Sequence, residues 1–312
     1  MYPIVYFDIS GKCNARCRWC FSGKNNRQGE GNTGKFIPPE QFERAVRYML
    51  DNRIIDTGTE IKLYNWGEPL LHPAFNEIIR ILNENNLSFG ISTNASIPVR
   101  IDEDVSMKGL QEILFSMPGF SQESYDRIHG FTFERIKKNI VHIVNSFRDS
   151  GFSGSAIISY HVYQFNIDEL REAVIFAKEH GIFLTASFAY FANWRQFRDY
   201  LTSEMDYAVL KAATQDLFLY YMDTTSYPSA SVPELDCPQN YVLTLDEECN
   251  VLTCCVVNRD NEYYAVGDLF SLSAAEISLL KRSQPVCSEC KQAGVIQNLK
   301  RCSAIPNQLI NF

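Results

Sequence analysis

The stretch Cys13-Asn14-Ala15-Arg16-Cys17-Arg18-Trp19-Cys20 carries three cysteines at the spacing C-x3-C-x2-C. The next cysteine along the chain is Cys237, so no fourth thiol stands nearby in sequence. Three thiolates on one curled loop can hold three irons of a cubic [4Fe–4S] cluster and leave the fourth iron open to a small molecule. The alternatives are a zinc site, which takes four Cys or His ligands, and three buried thiols in an ordinary core.

The composition bounds the class of protein. With 312 residues, 46% of them hydrophobic, the chain is long enough for one large soluble domain and a small one. The formal net charge of −8 argues against a nucleic-acid partner. The sequence contains no run of about 18 apolar residues, so no membrane span is expected. Because residues 1–8 suggest a strand and not a signal peptide, we expect a cytoplasmic protein.

The ten cysteines fall into two groups, one at each end of the chain. Without a secretion signal they are not expected to form disulfides. The distribution therefore suggests two metal sites in two domains, at residues 1–224 and 225–312, joined at a linker over residues 225–233. The late group consists of Cys237, Cys249, Cys254, Cys255, Cys287, Cys290 and Cys302.

The first domain alternates strand-like apolar runs with amphipathic helices. Strands are expected at residues 4–9, 60–64, 88–93, 112–116, 155–162 and 183–188, and helices at 39–52, 73–85, as a pair within 121–150, and at 166–180. Six strand–helix units imply an α/β fold with a parallel sheet, a partial (β/α)6 TIM-like barrel. The Gly- and Asn-rich segment 25–35 is expected to be a surface loop.

The second domain is expected to be a small cysteine-rich α+β unit. Short strands are predicted at residues 241–245 and 251–253, and one helix is predicted near 273–282.

Chemistry in parallel α/β folds collects at the carboxyl ends of the strands. The three-cysteine loop follows the first predicted strand directly. Gly67-Glu68 follows the second strand, and Ser92-Thr93-Asn94 closes the third. These polar segments are therefore expected to meet at one edge of the sheet.

The three segments together resemble the radical SAM enzymes, over most of the chain. The cysteine loop, with Trp19 before its last cysteine, is similar to the loop that binds the family's [4Fe–4S] cluster, whose open iron takes exchangeable S-adenosylmethionine (SAM). The resemblance implies that Gly67 and Glu68 contact the amino group of SAM. It also implies cofactor contacts from the turn after the third strand and from later strands, at Ser92, Thr93, Asn94, Ser116 and Ser159.

The late cysteines resemble a SPASM or shorter twitch domain, which holds an auxiliary cluster. The resemblance implies one auxiliary [4Fe–4S] cluster with four thiolate ligands, where Cys254 and Cys255 remain alternatives because neighbours in a strand face opposite ways. Two features depart from the pattern: Cys249 stands where Gly is usual, and only Cys302 follows the last motif. A C-x2-C zinc ribbon is the alternative. The implied ligands are Cys237, Cys254 or Cys255, Cys287 and Cys290.

The resemblance implies cleavage of SAM to a 5′-deoxyadenosyl radical that removes a hydrogen atom from substrate. With an auxiliary cluster as electron acceptor, we expect a two-electron oxidation of a small molecule, driven by a donor such as flavodoxin or ferredoxin. The chain begins at its first strand, which favours a small molecule over a leader-bearing peptide. The alternatives are a peptide- or protein-modifying enzyme, an epimerase with Cys249 or Cys302 as hydrogen donor, and a non-catalytic metal-binding scaffold.

No general base is identified from the sequence. Five side chains near the inferred strand ends are candidates for lining the pocket, although packing or surface roles are the alternative for each. They are His129, His161, Tyr160, Tyr190 and Arg195.

Overall fold

A computed structural model describes residues 1–29, 34–219 and 237–296. Within these ranges, nine strands form one sheet in the order β6-β5-β4-β3-β2-β1-β7-β8-β9. The strands are β1 (Ile4–Phe7), β2 (Glu60–Lys62), β3 (Ser88–Thr93), β4 (Leu110–Met117), β5 (Ser155–Val162), β6 (Phe183–Phe188), β7 (Val242–Leu245), β8 (Asn250–Leu252) and β9 (Ala265–Asp268).

The strands β1 to β6 are parallel to one another. Helices lie in the connections between them except between β3 and β4, where residues 94–109 form an irregular segment instead of a helix. This arrangement confirms the predicted α/β class with a mostly parallel sheet. Since β6 and β9 stand at the two ends of the strand order, the sheet is open. The helices are α1 (Phe21–Gln28), α2 (Pro39–Asp51), α3 (Phe75–Glu84), α4 (Gln122–Arg127), α5 (Phe133–Asp149), α6 (Leu170–Glu179), α7 (Trp194–Leu201), α8 (Tyr207–Ala213), α9 (Ala274–Arg282) and α10 (Pro285–Gln292).

The cysteine-rich segment continues the same sheet. Strand β7 pairs in parallel with β1, with Ile4 opposite Val242 and Phe7 opposite Leu245. Strands β8 and β9 then extend the sheet in antiparallel fashion. The first strand therefore has β2 on one side and β7 on the other. The proposed boundary at residues 224 and 225, and the linker over 225–233, lie outside the described residues.

The helices cover the sheet because their apolar residues recur with helical spacing. In α2, Phe42, Ala45, Val46 and Met49 form one buried face, and the ring of Phe42 lies 5.1 Å from the ring of Phe7 on β1. Pro at the first position of α2 suits a helix start, since its missing N–H has no helical partner there.

Several elements were missed by the sequence patterns. Residues 25–28 belong to α1, so the prediction of a loop over 25–35 is wrong there. That helix is polar almost throughout, so the sequence shows no apolar periodicity from which it could be predicted. Helices α7, α8 and α10 and strand β9 are short and were also not predicted. Among the described residues, no helix combines the length and apolar character that a membrane crossing needs.

Candidate functional site

The three-cysteine loop connects β1 to α1. Cys20 stands at the N-cap position of α1 with extended backbone, so the free N–H groups of Ser22 and Gly23 lie against its thiol. Gly23 is required by packing, because a Cβ there would meet the backbone N and O of Cys17 at 2.3 Å. The start of α1 is therefore fitted closely around the loop that it follows.

Side chains of α1 hold the loop in its curl. Asn26 donates to the carbonyl oxygens of Cys13 and Ala15, both at 2.7 Å. Arg27 donates to the carbonyl of Arg16 and, at 3.1 Å, to that of Ile128. These bonds satisfy loop carbonyls that would otherwise be buried without partners. They also explain why a polar helix forms here without an apolar period.

The three thiols are half-buried. Burial raises the pKa of Cys13 to about 12, and it also raises the pKa of Cys17 and Cys20 above the ordinary thiol range. Thiols of this kind ionise on binding a soft, electropositive metal group. Within the described ranges, no three Cys, His, Asp or Glu side chains are placed to chelate a single metal ion. Three thiols on one curled loop suit the corners of a cubic cluster.

The loop after β2 meets the cysteine loop at Gly67. A Cβ at this position would lie 1.5 Å from the carbonyl oxygen of Ser10, so a side chain cannot be accommodated without moving backbone. The N–H of Glu68 donates to the carbonyl oxygen of Lys12 at 2.8 Å. Because Gly67 has no side chain, it allows the two loops to touch, and no larger residue fits at this position.

Asp8 fixes the same contact from the end of β1, and sequence reasoning missed it. Its buried carboxylate accepts the N–H groups of Asn65, Trp66 and Gly67 at 2.7, 2.8 and 3.2 Å. Burial raises the pKa of Asp8 to about 7, against the lowering effect of those hydrogen bonds. The available signal was an acid placed directly after an apolar strand.

Glu68 is a buried anchor between the second and third strand ends. Its Oε1 accepts the hydroxyl of Thr93 at 2.7 Å and the N–H of Leu70 at 3.1 Å, while Oε2 accepts the N–H of Asn94 at 2.7 Å. Burial raises its pKa to about 7. Since a carboxylate offers about four acceptor positions, Oε2 keeps capacity for one further donor.

Asn94 completes the link back to the cysteine loop. Its amide nitrogen donates to the Asn14 side chain at 3.0 Å and faces the Cys13 sulfur at 3.9 Å. Ser92 is half-buried on β3, two residues before Asn94. The cysteine loop, Glu68 and the turn at Thr93-Asn94 thus form one connected group, as their placement at neighbouring strand ends predicts.

A cavity of about 240 Å³ opens beside the cysteine loop. Ser116 lines it, whereas Ser159, its neighbour across the strand pair, does not. Of the five pocket candidates, His129, His161 and Tyr190 line the cavity. The full lining is Cys17, Trp19, Cys20, Ser116, Ile128, His129, His161, Tyr163, Ser187, Phe188, Ala189, Tyr190 and Ala192.

Tyr160 and Arg195 lie outside this cavity, so both are corrections to the pocket prediction. The Tyr160 hydroxyl is buried and donates to the carbonyl oxygen of Asn166 at 2.7 Å. Arg195 is exposed in the first turn of α7. Tyr160 alternates with His161 along β5 and therefore faces the opposite side of the sheet.

Two histidines give the cavity a neutral polar wall. Burial lowers the pKa of His129 to about 3 and that of His161 to about 4, so both imidazoles are uncharged at neutral pH. In the described part of the chain, the buried Nδ1 of His129 has no hydrogen-bond partner. Trp19 is buried beside them, with its ring edge-on to Phe191 at 5.4 Å.

A family model described as the radical SAM superfamily matches residues 8–177, just over half of the chain. The chain belongs to the radical SAM superfamily. Membership implies a [4Fe–4S] cluster and SAM, and the three thiols with the adjoining cavity fit that requirement.

The relatives do not identify the reaction. A probable GTP 3′,8-cyclase of Pyrococcus horikoshii is 28% identical over 131 residues, covering 41% of this chain and 39% of the relative. The chain therefore matches about two fifths of the length of this curated relative. Two solved structures share the fold, and at their level of identity they support the fold alone.

The first of these is SuiB of Streptococcus suis bound to precursor peptide SuiA, with a TM-score of 0.59 and 14% identity over 93% of this chain and 67% of that one. The second is anSMEcpe with bound AdoMet and a peptide, with a TM-score of 0.54 and 16% identity over 92% of this chain and 81% of that one.

A second cavity of about 340 Å³ lies in the C-terminal part of this radical SAM protein. Four cysteines line it, and we call them the second cysteine site. Cys254 is one of them, whereas its neighbour Cys255 does not line the cavity. Burial raises the pKa of Cys290 to about 12, and the adjacent indole of Trp194 lowers it. The four cysteines are Cys237, Cys254, Cys287 and Cys290.

Lys281 is an unexpected member of the cavity wall. It is 3% exposed, and its ammonium donates to the carbonyl oxygen of Gln239 at 3.1 Å and to that of Val242. Burial lowers its pKa, and the charges of the nearby thiolates, Cys254 first, act in the opposite direction. A signal existed in the sequence: Lys281 follows Ile277 by one helical turn on the buried face of α9.

Cys249 and Cys302 are the two cysteines that were not expected to bind a cluster. Cys249 lies fully buried in the turn between β7 and β8, where its φ of 66° is left-handed and explains why Gly is usual in the pattern. Its thiol accepts a hydrogen bond from the Gln41 amide, and Cys249 lines neither of the two cavities. Cys302 lies outside the described residues.

Substitution of Gly67 by Ala tests the contact between the two loops. Because the new Cβ would collide with the Ser10 carbonyl, the loops must separate, and we expect SAM affinity to fall by about tenfold or more, or about 1.4 kcal/mol. Equilibrium dialysis of SAM with the reconstituted protein measures this loss.

Gly58→Ala is the matched control, because its Cβ would approach no atom closer than 3.2 Å, on the flexible Asp56 side chain. Circular dichroism reports whether each variant keeps its fold. Wild-type SAM affinity in Gly67→Ala would show that the close contact does not shape the binding site.

Proposed function

We propose that this chain is a radical SAM oxidoreductase that removes two electrons from a small-molecule substrate. The observation that supports this proposal is that four cysteines line one cavity. They lie in the C-terminal part of the chain, whose strand β7 pairs directly with β1, the strand before the three-cysteine loop. Four thiolates satisfy all four irons of a cubic cluster. A cluster ligated in that way would serve electron transfer and leave substrate binding to the first cavity.

The cofactors supply the radical chemistry. When bound at Cys13, Cys17 and Cys20, the cluster and SAM provide a 5′-deoxyadenosyl radical that takes a hydrogen atom from substrate. Cys237, Cys254, Cys287 and Cys290 would hold a second cluster that could accept the one electron left after a hydrogen atom and a proton have been removed, which would make the reaction a two-electron oxidation.

The chain's own residues prepare the SAM pocket. The free acceptor position on Glu68 Oε2 suits an ammonium group, and Asn94 beside Cys13 holds the neighbouring loop in register. Trp19 and the apolar segment before α7 exclude water from the cavity, which protects a reactive radical from unwanted hydrogen donors.

The first cavity also favours a small and polar substrate. Its volume of about 240 Å³ is below the roughly 300–1,000 Å³ that is usual for ligand pockets. The unpaired Nδ1 of His129 offers a hydrogen-bonding position to a substrate hydroxyl or amine. The GTP cyclase relative is named for a small-molecule substrate, which agrees with this proposal.

Peptide modification is the second candidate. It is favoured by the fold that the chain shares with SuiB bound to SuiA. The rate of 5′-deoxyadenosine formation in the presence of small-molecule and peptide fractions of a cell extract separates the two candidates. Stimulation by the peptide fraction and not by the small-molecule fraction would overturn our proposal.

Iron content tests the second cysteine site and decides between its two adjacent cysteines. Two cubic clusters predict about eight irons per chain after anaerobic reconstitution. Because Cys254 lines the cavity and Cys255 does not, we expect Cys254→Ala to retain about four irons and Cys255→Ala to retain about eight. Zinc in place of iron, or the reverse result in the two variants, would contradict this assignment.

The two cysteine sites should separate SAM cleavage from product formation. We expect Cys17→Ala to abolish formation of 5′-deoxyadenosine, since it removes a ligand of the SAM-binding cluster. Cys290→Ala should keep part of this cleavage and stop substrate oxidation, because the electron acceptor is lost. Chromatographic assay of 5′-deoxyadenosine and of oxidised product checks both. Normal product formation by the Cys290 variant would exclude the acceptor role.

The electron donor is proposed to dock beside the cysteine loop. Between residues 9 and 29 the chain has five cations and no acidic residue, although its net charge is −8. Arg16, Lys24 and Arg27 are exposed there. Such a patch complements an acidic protein such as flavodoxin and steers its approach.

Charge reversal tests the donor surface. We expect the Arg16→Glu/Lys24→Glu double variant to slow reduction by flavodoxin by about tenfold or more at low salt. Lys138→Glu/Lys178→Glu, at exposed positions of α5 and α6, is the control with the same net charge. Stopped-flow spectroscopy measures both, and photoreduction by a neutral deazaflavin checks the cluster. Equal slowing of the two double variants would argue against a docking surface at the loop.

A further inference from the structure

The walls of the second cysteine site carry charge of one sign. Three cations line this cavity, Lys281, Arg282 and Lys291, and no Asp or Glu does so within the described residues. This is unusual in a chain whose net charge is −8. Arg282 and Lys291 are exposed and screened by solvent, whereas Lys281 is buried. Lys281 is therefore the cation with the strongest effect inside the cavity.

Lys281 is a buried cation, so a negatively charged partner is expected close to its ammonium group. Across the described part of the chain, no carboxylate lies within ion-pair distance of its ammonium. The two carbonyl oxygens that accept from it, of Gln239 and Val242, are neutral. A buried charge without a counter-ion is strongly unfavourable. The anionic groups that remain for it are the thiolates that share the cavity.

We propose that Lys281 is the electrostatic partner of the second cysteine site and raises the reduction potential of the cluster held there. The inference rests on the proposed function, because it requires an iron–sulfur cluster at this site. Reduction adds one negative charge to a four-thiolate cluster, and a fixed cation in a low-dielectric wall stabilises that added charge. The cation therefore favours acceptance of an electron.

The three-cysteine loop differs in which charges are buried. The acids beside it, Asp8 and Glu68, are buried, whereas its cations Arg16, Lys24 and Arg27 are exposed and screened by solvent. The contrast between the two sites favours electron movement toward the second cysteine site. Lys281 thereby gives a direction to the electron transfer that the proposed oxidation requires.

The test measures the midpoint reduction potential of the second cluster in a variant that lacks the first cluster. Cys13→Ala/Cys17→Ala/Cys20→Ala removes the first cluster, and anaerobic reconstitution should then leave about four irons. EPR-monitored redox titration gives the midpoint potential. We expect Lys281→Met to lower the reduced-to-oxidised ratio at a fixed potential by about tenfold, which is about 59 mV for one electron. Lys281→Arg keeps the charge and should stay near the parent value.

A second variant keeps the test decisive if Lys281→Met does not fold. Lys291→Gln is exposed and should shift the midpoint in the same direction by a smaller amount that added salt reduces. Lys178→Gln on α6 is the control and should leave the potential unchanged.

The outcomes separate the inference from the proposal beneath it. Four irons with an unchanged midpoint in Lys281→Met would overturn the role of Lys281 and leave the proposed function intact. If Lys281→Met does not fold, an unchanged midpoint in Lys291→Gln would overturn the role of the cations in the same way. A triple cysteine variant that binds no iron would overturn both.

Discussion

Two buried carboxylates hold the working edge of the sheet together. Asp8 accepts three N–H groups from the turn after β2, and Glu68 accepts a hydroxyl and two N–H groups at the end of β3 and in its own turn. Each is removed from water and therefore unfavourable as an isolated group, so each depends on the donors around it. The contact of Gly67 with Ser10, the position of Cys13 and the cavity beside it all follow from this arrangement.

Much of the first site could be predicted from the sequence. The cysteine spacing, the Gly67-Glu68 pair and the turn at Asn94 each close an apolar strand, and parallel strands bring their carboxyl ends to one edge. What escaped prediction has a physical reason. Helix α1 forms through side-chain bonds to a distant loop, and no local period records such bonds. Asp8 looked like an ordinary strand end because its partners lie in another turn.

The cysteines of the second site could be predicted from the sequence, but the residues around them could not. Cys254 and Cys255 were expected to alternate along a strand, but β8 ends at Leu252 and both lie in the turn after it, so alternation does not decide which of them faces the cavity. Lys281 was equally hidden, because a lysine on a helix is usually taken for a solvated residue. Its burial follows from the packing of α9, with Ile277 one turn before it, against the segment around Gln239.

The pairing of β1 with β7 also has a consequence for how the protein is made. Ile4 can pair with Val242 only once the chain has been synthesised as far as β7, so this part of the sheet closes late. Until then one edge of β1, and the cysteine loop directly after it, lack their final neighbour. The first site therefore reaches its final form only when the C-terminal strands are in place.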